Sequence, residues 1–119
     1  MLERHPDSKM NVLVVWEPVR WSDRRGPSRS TYAYIRDGRV AQFWDPGRAL
    51  SKQIVADVMK NRSLLPEGEH VNEDAIVWDA AAVFPPGVRW DAEFPKPAYA
   101  GWPVVDVIAE VERAASGAM

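Results

Sequence analysis

Apolar positions along this chain follow two periods. Residues 11–18, NVLVVWEP, place Val12, Leu13, Val14 and Val15 in succession, then Trp16, Glu17 and Pro18. A run this short, β-branched at three of its four aliphatic positions and stopped by proline, predicts a strand buried on both faces of a sheet. Residues 40–44, VAQFW, alternate instead, with Val40, Gln42 and Trp44 on one face and Ala41 and Phe43 on the other, which predicts a second short strand. Leu50, Ile54, Val55, Val58 and Met59 then recur at helical spacing after Asp45-Pro46, a capping acid followed by a proline suited to a first helical turn.

The remaining segments complete an order of elements. Residues 1–10 are polar and read as the end of a helix or a frayed arm. Residues 20–26, between Pro18 and Pro27, read as an exposed loop, and 27–37 as a short helix opened by Pro27 and stopped by Gly38. Residues 62–74, with Pro66 and Gly68, form a connection. Residues 75–84, AIVWDAAAVF, predict a longer strand, Pro85-Pro86-Gly87 a tight turn, and Val88-Arg89-Trp90 a returning strand. The proline- and aromatic-rich stretch 91–102 reads as an ordered loop. Pro103 opens a last helix whose apolar face is Val104, Val105, Ile108, Val111 and Ala115, ending before Gly117. The order β-α-β-α-β-β-α predicts an α/β fold in one domain over 1–119. Strands joined through helices are normally parallel and the last pair antiparallel, so the expected product is a small mixed sheet with helices on its faces.

Composition narrows the chemistry. With 119 residues, 46% hydrophobic and 27% charged, the chain has the material of a soluble globular domain with a real core. No run approaches the roughly 18 apolar residues of a membrane span. The first ten residues lack the apolar centre of a signal peptide, so the chain as written is expected in the cytoplasm, or in the periplasm or exported if a leader is missing. The cysteine count is zero, which excludes thiol mechanisms, disulfides and thiolate metal sites carried by this chain alone. His5 and His70, the only histidines, stand far apart. No metal site and no cofactor are expected.

Two residue sets are candidates for binding. Tryptophan is followed by an acid at Trp16-Glu17, Trp44-Asp45, Trp78-Asp79 and Trp90-Asp91. Ligands in open α/β sheets favour the carboxyl ends of parallel strands, where Trp16, Glu17, Trp44 and Asp45 fall. Glu17 and Asp45 there could hold a hard cation or act as an acid and base pair. The structural reading outweighs it: Asp45 is a helix cap and the tryptophans are core. Arg20, Arg24, Arg25 and Arg29, with Trp21, Tyr32 and Tyr34, form a candidate anion patch. Against the net charge of −2, nucleic-acid binding is not expected, and a solvated loop is the simpler reading. The aromatic stretch from Trp90 to Trp102 reads as packing ahead of a groove. Ser28, Ser30 and Ser51 have no histidine at a triad spacing, and no glycine-rich phosphate loop is present.

The segments NVLVVWEPV, RVAQFWDPGR and IVWDAAAVFPPGVRW, followed by a terminal helix, resemble a group of largely uncharacterised bacterial proteins with the thioredoxin-like fold. The resemblance covers roughly Val12 to Arg113 and rests on the order and spacing of these segments. It implies an incomplete thioredoxin-like fold. The strand and helix that carry Cys-x-x-C in that fold have no counterpart here, and the residues before Ala75 are Asn72-Glu73-Asp74, with no proline at the position of the family's cis-proline. The implied function is a module without its own redox centre, acting in binding or assembly. The alternative is a fragment of a thiol–disulfide oxidoreductase whose catalytic half lies upstream of Met1. In the fold it resembles, the missing strand lies between those matched by 12–16 and by 76–84. Its loss leaves a gap of roughly 9 to 10 Å between apolar edges. An open gap of this kind closes by direct pairing of the two strands, by a second copy, or by chain upstream of Met1. Exposed edges recruit partners, so a homodimer through 12–16 (Val12 to Trp16) and 76–84 (Ile76 to Phe84), or poor solubility, is expected, with another protein as a further partner.

Overall fold

The computed structural model describes residues 1–20, 22, 24–65 and 71–118. Trp21 of the arginine-rich loop, Asp23, and Pro66, Gly68 and His70 of the predicted connection lie outside the described residues. The chain is α/β, with three helices and two small sheets among the described residues. It divides into two compact units, Met1–Ala49 and Leu50–Met119.

In the first unit, β1 (Val12–Trp16) and β2 (Val40–Trp44) occupy the two predicted strands and pair in parallel, from Val12 opposite Val40 to Trp16 opposite Trp44. The connection carries α1 (Arg29–Ala33), shorter than the predicted 27–37. Its start is set by Ser28, whose Oγ accepts from the Thr31 N–H at 3.2 Å. Its end is not a glycine stop, because Gly38 is outside the left-handed region. Beyond α1 the chain is bent instead by Asp37, whose Oδ1 accepts from the Arg39 N–H at 2.9 Å. Alternation puts Val12, Val14, Trp16, Val40, Gln42 and Trp44 on one face, all partly buried. Gln42 crosses that face with both ends satisfied: its Oε1 accepts from Trp16 Nε1 at 3.0 Å and its Nε2 donates to the Tyr32 carbonyl at 2.9 Å. The other face is open, with Leu13 69% and Phe43 51% exposed. The four-aliphatic run predicts burial on both faces; the structure buries one.

Arg39 ties down residues 1–10. Its Nη1 donates to the carbonyls of His5 (2.6 Å) and Ser8 (3.1 Å), and its Nη2 donates to that of Leu2 (3.0 Å), holding a single 3-10 turn at Leu2–Arg4. The fork is oriented by Asp37, with Nε to Oδ1 at 2.9 Å and Nη2 to Oδ2 at 2.6 Å. Through these bonds, first the side-chain pair and then the Arg39 backbone N–H, the Asp37 carboxyl is held down at about 2. The same pairing raises Arg39.

In the second unit, α2 (Ala49–Lys60) realises the predicted amphipathic helix. Its start differs: Asp45 to Arg48 close a turn, with Arg48 at φ 55°, so Pro46 lies before the helix rather than in its first turn. Its inner face carries Val55 and Val58 together with two polar residues, Ser51 and Asp57. Asp57 accepts from the Phe94 N–H at 2.8 Å and from Gln53 Nε2 at 3.0 Å, so the buried carboxylate is matched by donors. Val58, Leu64 and Phe94 form a core, joined by Ile54, Leu65, Val71 and Phe84. Phe94 meets Phe84 and Trp90 edge-on at 5.8 and 5.3 Å, so part of the 91–102 stretch does pack as the aromatic reading requires.

The predicted strand over 75–84 is mostly not a strand. Only β3 (Ala81–Val83) is extended and paired, and its partner is β4 (Tyr99–Gly101), antiparallel, with Ala81 opposite Gly101 and Val83 opposite Tyr99. The turn after Pro85 exists, with the Val88 N–H on the Pro85 carbonyl at 3.3 Å and Gly87 at φ 81°, but residues 88–90 do not return as a strand. The physical reason lies upstream. Ser51 Oγ donates to the Val77 carbonyl at 3.1 Å and accepts from the Val77 N–H at 2.9 Å, and Asp79 turns left-handed at φ 49°. The backbone groups a ladder needs are thus already taken. The single mixed sheet of the sequence reading is corrected to two separate two-stranded sheets, β1-β2 and β3-β4.

The last helix, α3 (Val104–Ala118), follows a cis Trp102-Pro103 bond, packs on β3 and β4, and runs through Gly117. Its buried residues are Val111 and Ala115, with Val104 and Val107 partly covered. Val105 and Ile108, predicted for the same face, are 78% and 42% exposed. Among the described residues, no helix is long and apolar enough to cross a membrane.

Candidate functional site

The carboxyl ends of β1 and β2 meet at Trp16 and Trp44, which are register partners, and the ladder continues one step as the Asp45 N–H donates to the Trp16 carbonyl at 2.8 Å. The parallel pairing therefore brings Trp16, Glu17, Trp44 and Asp45 to one end of the sheet, as the strand reading requires. The four side chains then diverge in role.

Asp45 Oδ1 accepts from the Ala49 N–H at 3.0 Å and so serves the start of α2. Asp79, another acid that follows a tryptophan, does the same for α3: its carbonyl and its Oδ1 accept from the Val104 N–H at 3.0 and 3.4 Å. Two of the four tryptophan–acid pairs are thereby accounted for by helix starts. Trp44 packs its indole against Gly26, where a Cβ would stand 3.0 Å from Cδ2 and Cε2, and Gly26 sits at φ 71°. Only glycine fits both the left-handed backbone and the ring. Glu17 is partly buried beside this end of the sheet.

Trp16 faces a crevice. Its indole meets Tyr32 edge-on at 6.5 Å, and with Ser30, Thr31, Tyr34 and Ile35 it lines an open, mainly apolar crevice of about 440 Å³. Several polar groups of this wall bond to one another or to the sheet. Ser28 Oγ lies 2.9 Å from Ser30 Oγ and 3.0 Å from Thr31 Oγ1, and the Trp16 N–H is on Gln42. Tyr34 stands out at 91% exposure.

Of the arginine set, Arg20, Arg24, Arg25 and Arg29 are all exposed, with Arg29 the first residue of α1. The sequence reading did not single out Ile35, Ser30 or Thr31 for this crevice, nor Arg36, which is exposed and anchored by Nε on the Ala33 carbonyl at 3.0 Å. Their only sequence signal is the short amphipathic spacing of α1. Among the described residues, no group of three or more His, Cys, Asp or Glu stands close enough to share a metal ion.

Compared with protein-family models, curated proteins and solved structures, the chain matches none.

Proposed function

We propose that the chain is a thioredoxin-like module with no redox centre of its own, working by binding and assembly rather than by catalysis. A parallel β-α-β half and an antiparallel β-β-α half in that order support the fold part of this reading. The absence of cysteine from the sequence supports the non-catalytic part. The assembly part rests on one observation, the uncovered apolar face of β1-β2.

Parallel sheets occur almost only with both faces covered, and a two-stranded sheet standing alone is marginal in water. Here Leu13, Ala41 and Phe43 are exposed on one face, and each strand has one unpaired edge within its sheet. Exposed edges and an apolar face recruit a further layer. A second copy of the chain, packing its own Leu13, Ala41 and Phe43 face against this one, takes the apolar surface of both copies out of water. The 76–84 edge contributes only through β3, because the rest of that segment is not extended.

Sedimentation velocity over a range of about 5 to 200 µM tests this, since a modest interface associates in the micromolar range. The expected result is a monomer–dimer equilibrium that Leu13→Glu and Phe43→Glu shift to monomer without loss of circular dichroism. A wild-type chain that stays monomeric throughout overturns the assembly reading. Reduction of a disulfide substrate by the purified chain overturns the non-catalytic one.

A further inference from the structure

The face of β1-β2 opposite the proposed assembly surface carries the Trp16 crevice, and its chemistry is distinctive in two respects. Its walls are mainly apolar and aromatic; of their polar groups the Ser30 and Thr31 hydroxyls bond Ser28 and the Trp16 N–H bonds Gln42, which leaves the exposed Tyr34 hydroxyl at the rim. A crevice of about 440 Å³ built this way selects for shape and apolar surface rather than for hydrogen-bond pattern.

The charge along this part of the chain is mainly positive: Glu17 and Asp37 bound it, and Asp37 is paired with Arg39. Between positions 20 and 36 the chain carries Arg20, Arg24, Arg25, Arg29 and Arg36 against the single acid Asp23, although its net charge is −2. Arg29 adjoins Ser30 and Arg36 adjoins Ile35, so two exposed arginines flank the lining residues in sequence. Among the described residues neither is in an ion pair.

We propose that this crevice docks an acidic peptide segment of a partner protein, with one large apolar side chain seated on Trp16, Tyr34 and Ile35 and carboxylates on either side facing Arg29 and Arg36. Charge complementarity sets the sign of the partner and the mainly apolar, aromatic wall sets its anchor. A polynucleotide fits less well on both counts. Its bases would find few hydrogen-bonding groups in the crevice. A long polyanion also samples the acidic remainder of the chain, whereas a short peptide sees only charges within a Debye length of about 8–10 Å.

The test is a heteronuclear NMR titration of the ¹⁵N-labelled full chain. Its probe is a blocked hexapeptide, Asp-Glu-Phe-Leu-Glu-Asp, alongside its Lys-for-acid counterpart and an oligothymidylate of about ten nucleotides. The acidic peptide is expected to shift the Trp16 indole N–H and the α1 amides, saturating at high-micromolar to low-millimolar concentration. Tyr34→Ala, at a side chain too exposed to hold the fold, weakens binding about 3- to 10-fold. The pair Arg29→Glu and Arg36→Glu weakens it about 5- to 10-fold, and binding declines with salt. The proposal is overturned if shifts saturate away from residues 16 and 28–36, if the basic peptide binds as well as the acidic one, if the oligothymidylate binds more tightly than either, or if no probe shifts these signals at millimolar concentration. None of these readings depends on dimer formation, so this proposal and the assembly proposal fail separately.

Discussion

Removing one hydroxyl tests why the third predicted strand is interrupted. Ser51 is 2% exposed, and its Oγ both donates to and accepts from the backbone of Val77. Ser51→Ala leaves that carbonyl and that N–H without this partner. An unsatisfied buried polar group costs about 1–3 kcal/mol. Val77 is only partly buried, so water recovers some of the loss and the lower part of the range applies to each group. The expected destabilisation is about 2 kcal/mol. At about 4–8 °C per kcal/mol for a unit of this size, Tm falls by roughly 8 °C or more. Calorimetry gives the global value, and amide exchange gives the local one. The Val77 N–H should lose protection by about 30-fold, the equivalent of the same 2 kcal/mol. Lys52→Ala, on the exposed side of the same helical turn, serves as the reference and should change Tm little. A Ser51→Ala chain that melts within about 2 °C of wild type, with the Val77 amide still protected, refutes the argument that this hydroxyl replaces a strand partner.

Two further outcomes follow from the first unit. Gly26→Ala puts a methyl 3.0 Å from the Trp44 ring at a φ of 71°, so it should cost about 1–2 kcal/mol in backbone strain alone and shift the tryptophan near-ultraviolet circular dichroism. An unchanged spectrum and stability would show that the ring is not held there. Asp37 has a folded-state carboxyl at about 2 against an ordinary 3.8. Its depressed value means that its contribution is present in full above the ordinary value and is lost as pH falls through about 2. Asp37→Asn should therefore flatten the acid limb of the stability curve between about pH 4 and 2 and release the 1–10 arm, read as faster amide exchange there. An identical acid limb in both chains would remove Asp37 from that limb.

The elements of shortest range were the most legible. VLVVW and VAQFW read as strands because β-branched and aromatic residues at period two have few alternatives, and they pair as parallel neighbours because a helix lies between them. The spacing of Val55 and Val58 placed α2, whereas its start, read as an Asp45 cap with Pro46 in the first turn, falls at Ala49, from whose N–H Asp45 accepts across an intervening turn. The candidate site was legible to the same depth: the strands alone bring Trp16, Glu17, Trp44 and Asp45 to one end of a sheet. They do not say that Asp45 serves α2, that Trp44 lies on Gly26, or that Trp16 opens on a crevice.

Residues 76–80 were misread for an instructive reason. AIVWDAAAVF has the local character of a strand along its whole length, but a strand requires a partner for its backbone groups, and propensity does not supply one. A serine on α2, distant in sequence, takes the Val77 carbonyl and N–H, and Asp79 turns left-handed before the three residues that do pair. The same logic governs α3, where Val105 and Ile108 carry the helical period yet stand exposed while Val107 is covered. Sequence fixes how often an apolar side chain recurs; which side of the helix meets β3 and β4 is set by packing. The amino-acid order by itself thus determined the class of fold, the position of its first two strands and its lack of a thiol. Tertiary structure alone decided how the strands divide into two sheets and which apolar faces stay open, because hydrogen-bond partners and burial are properties of groups brought together from far along the chain.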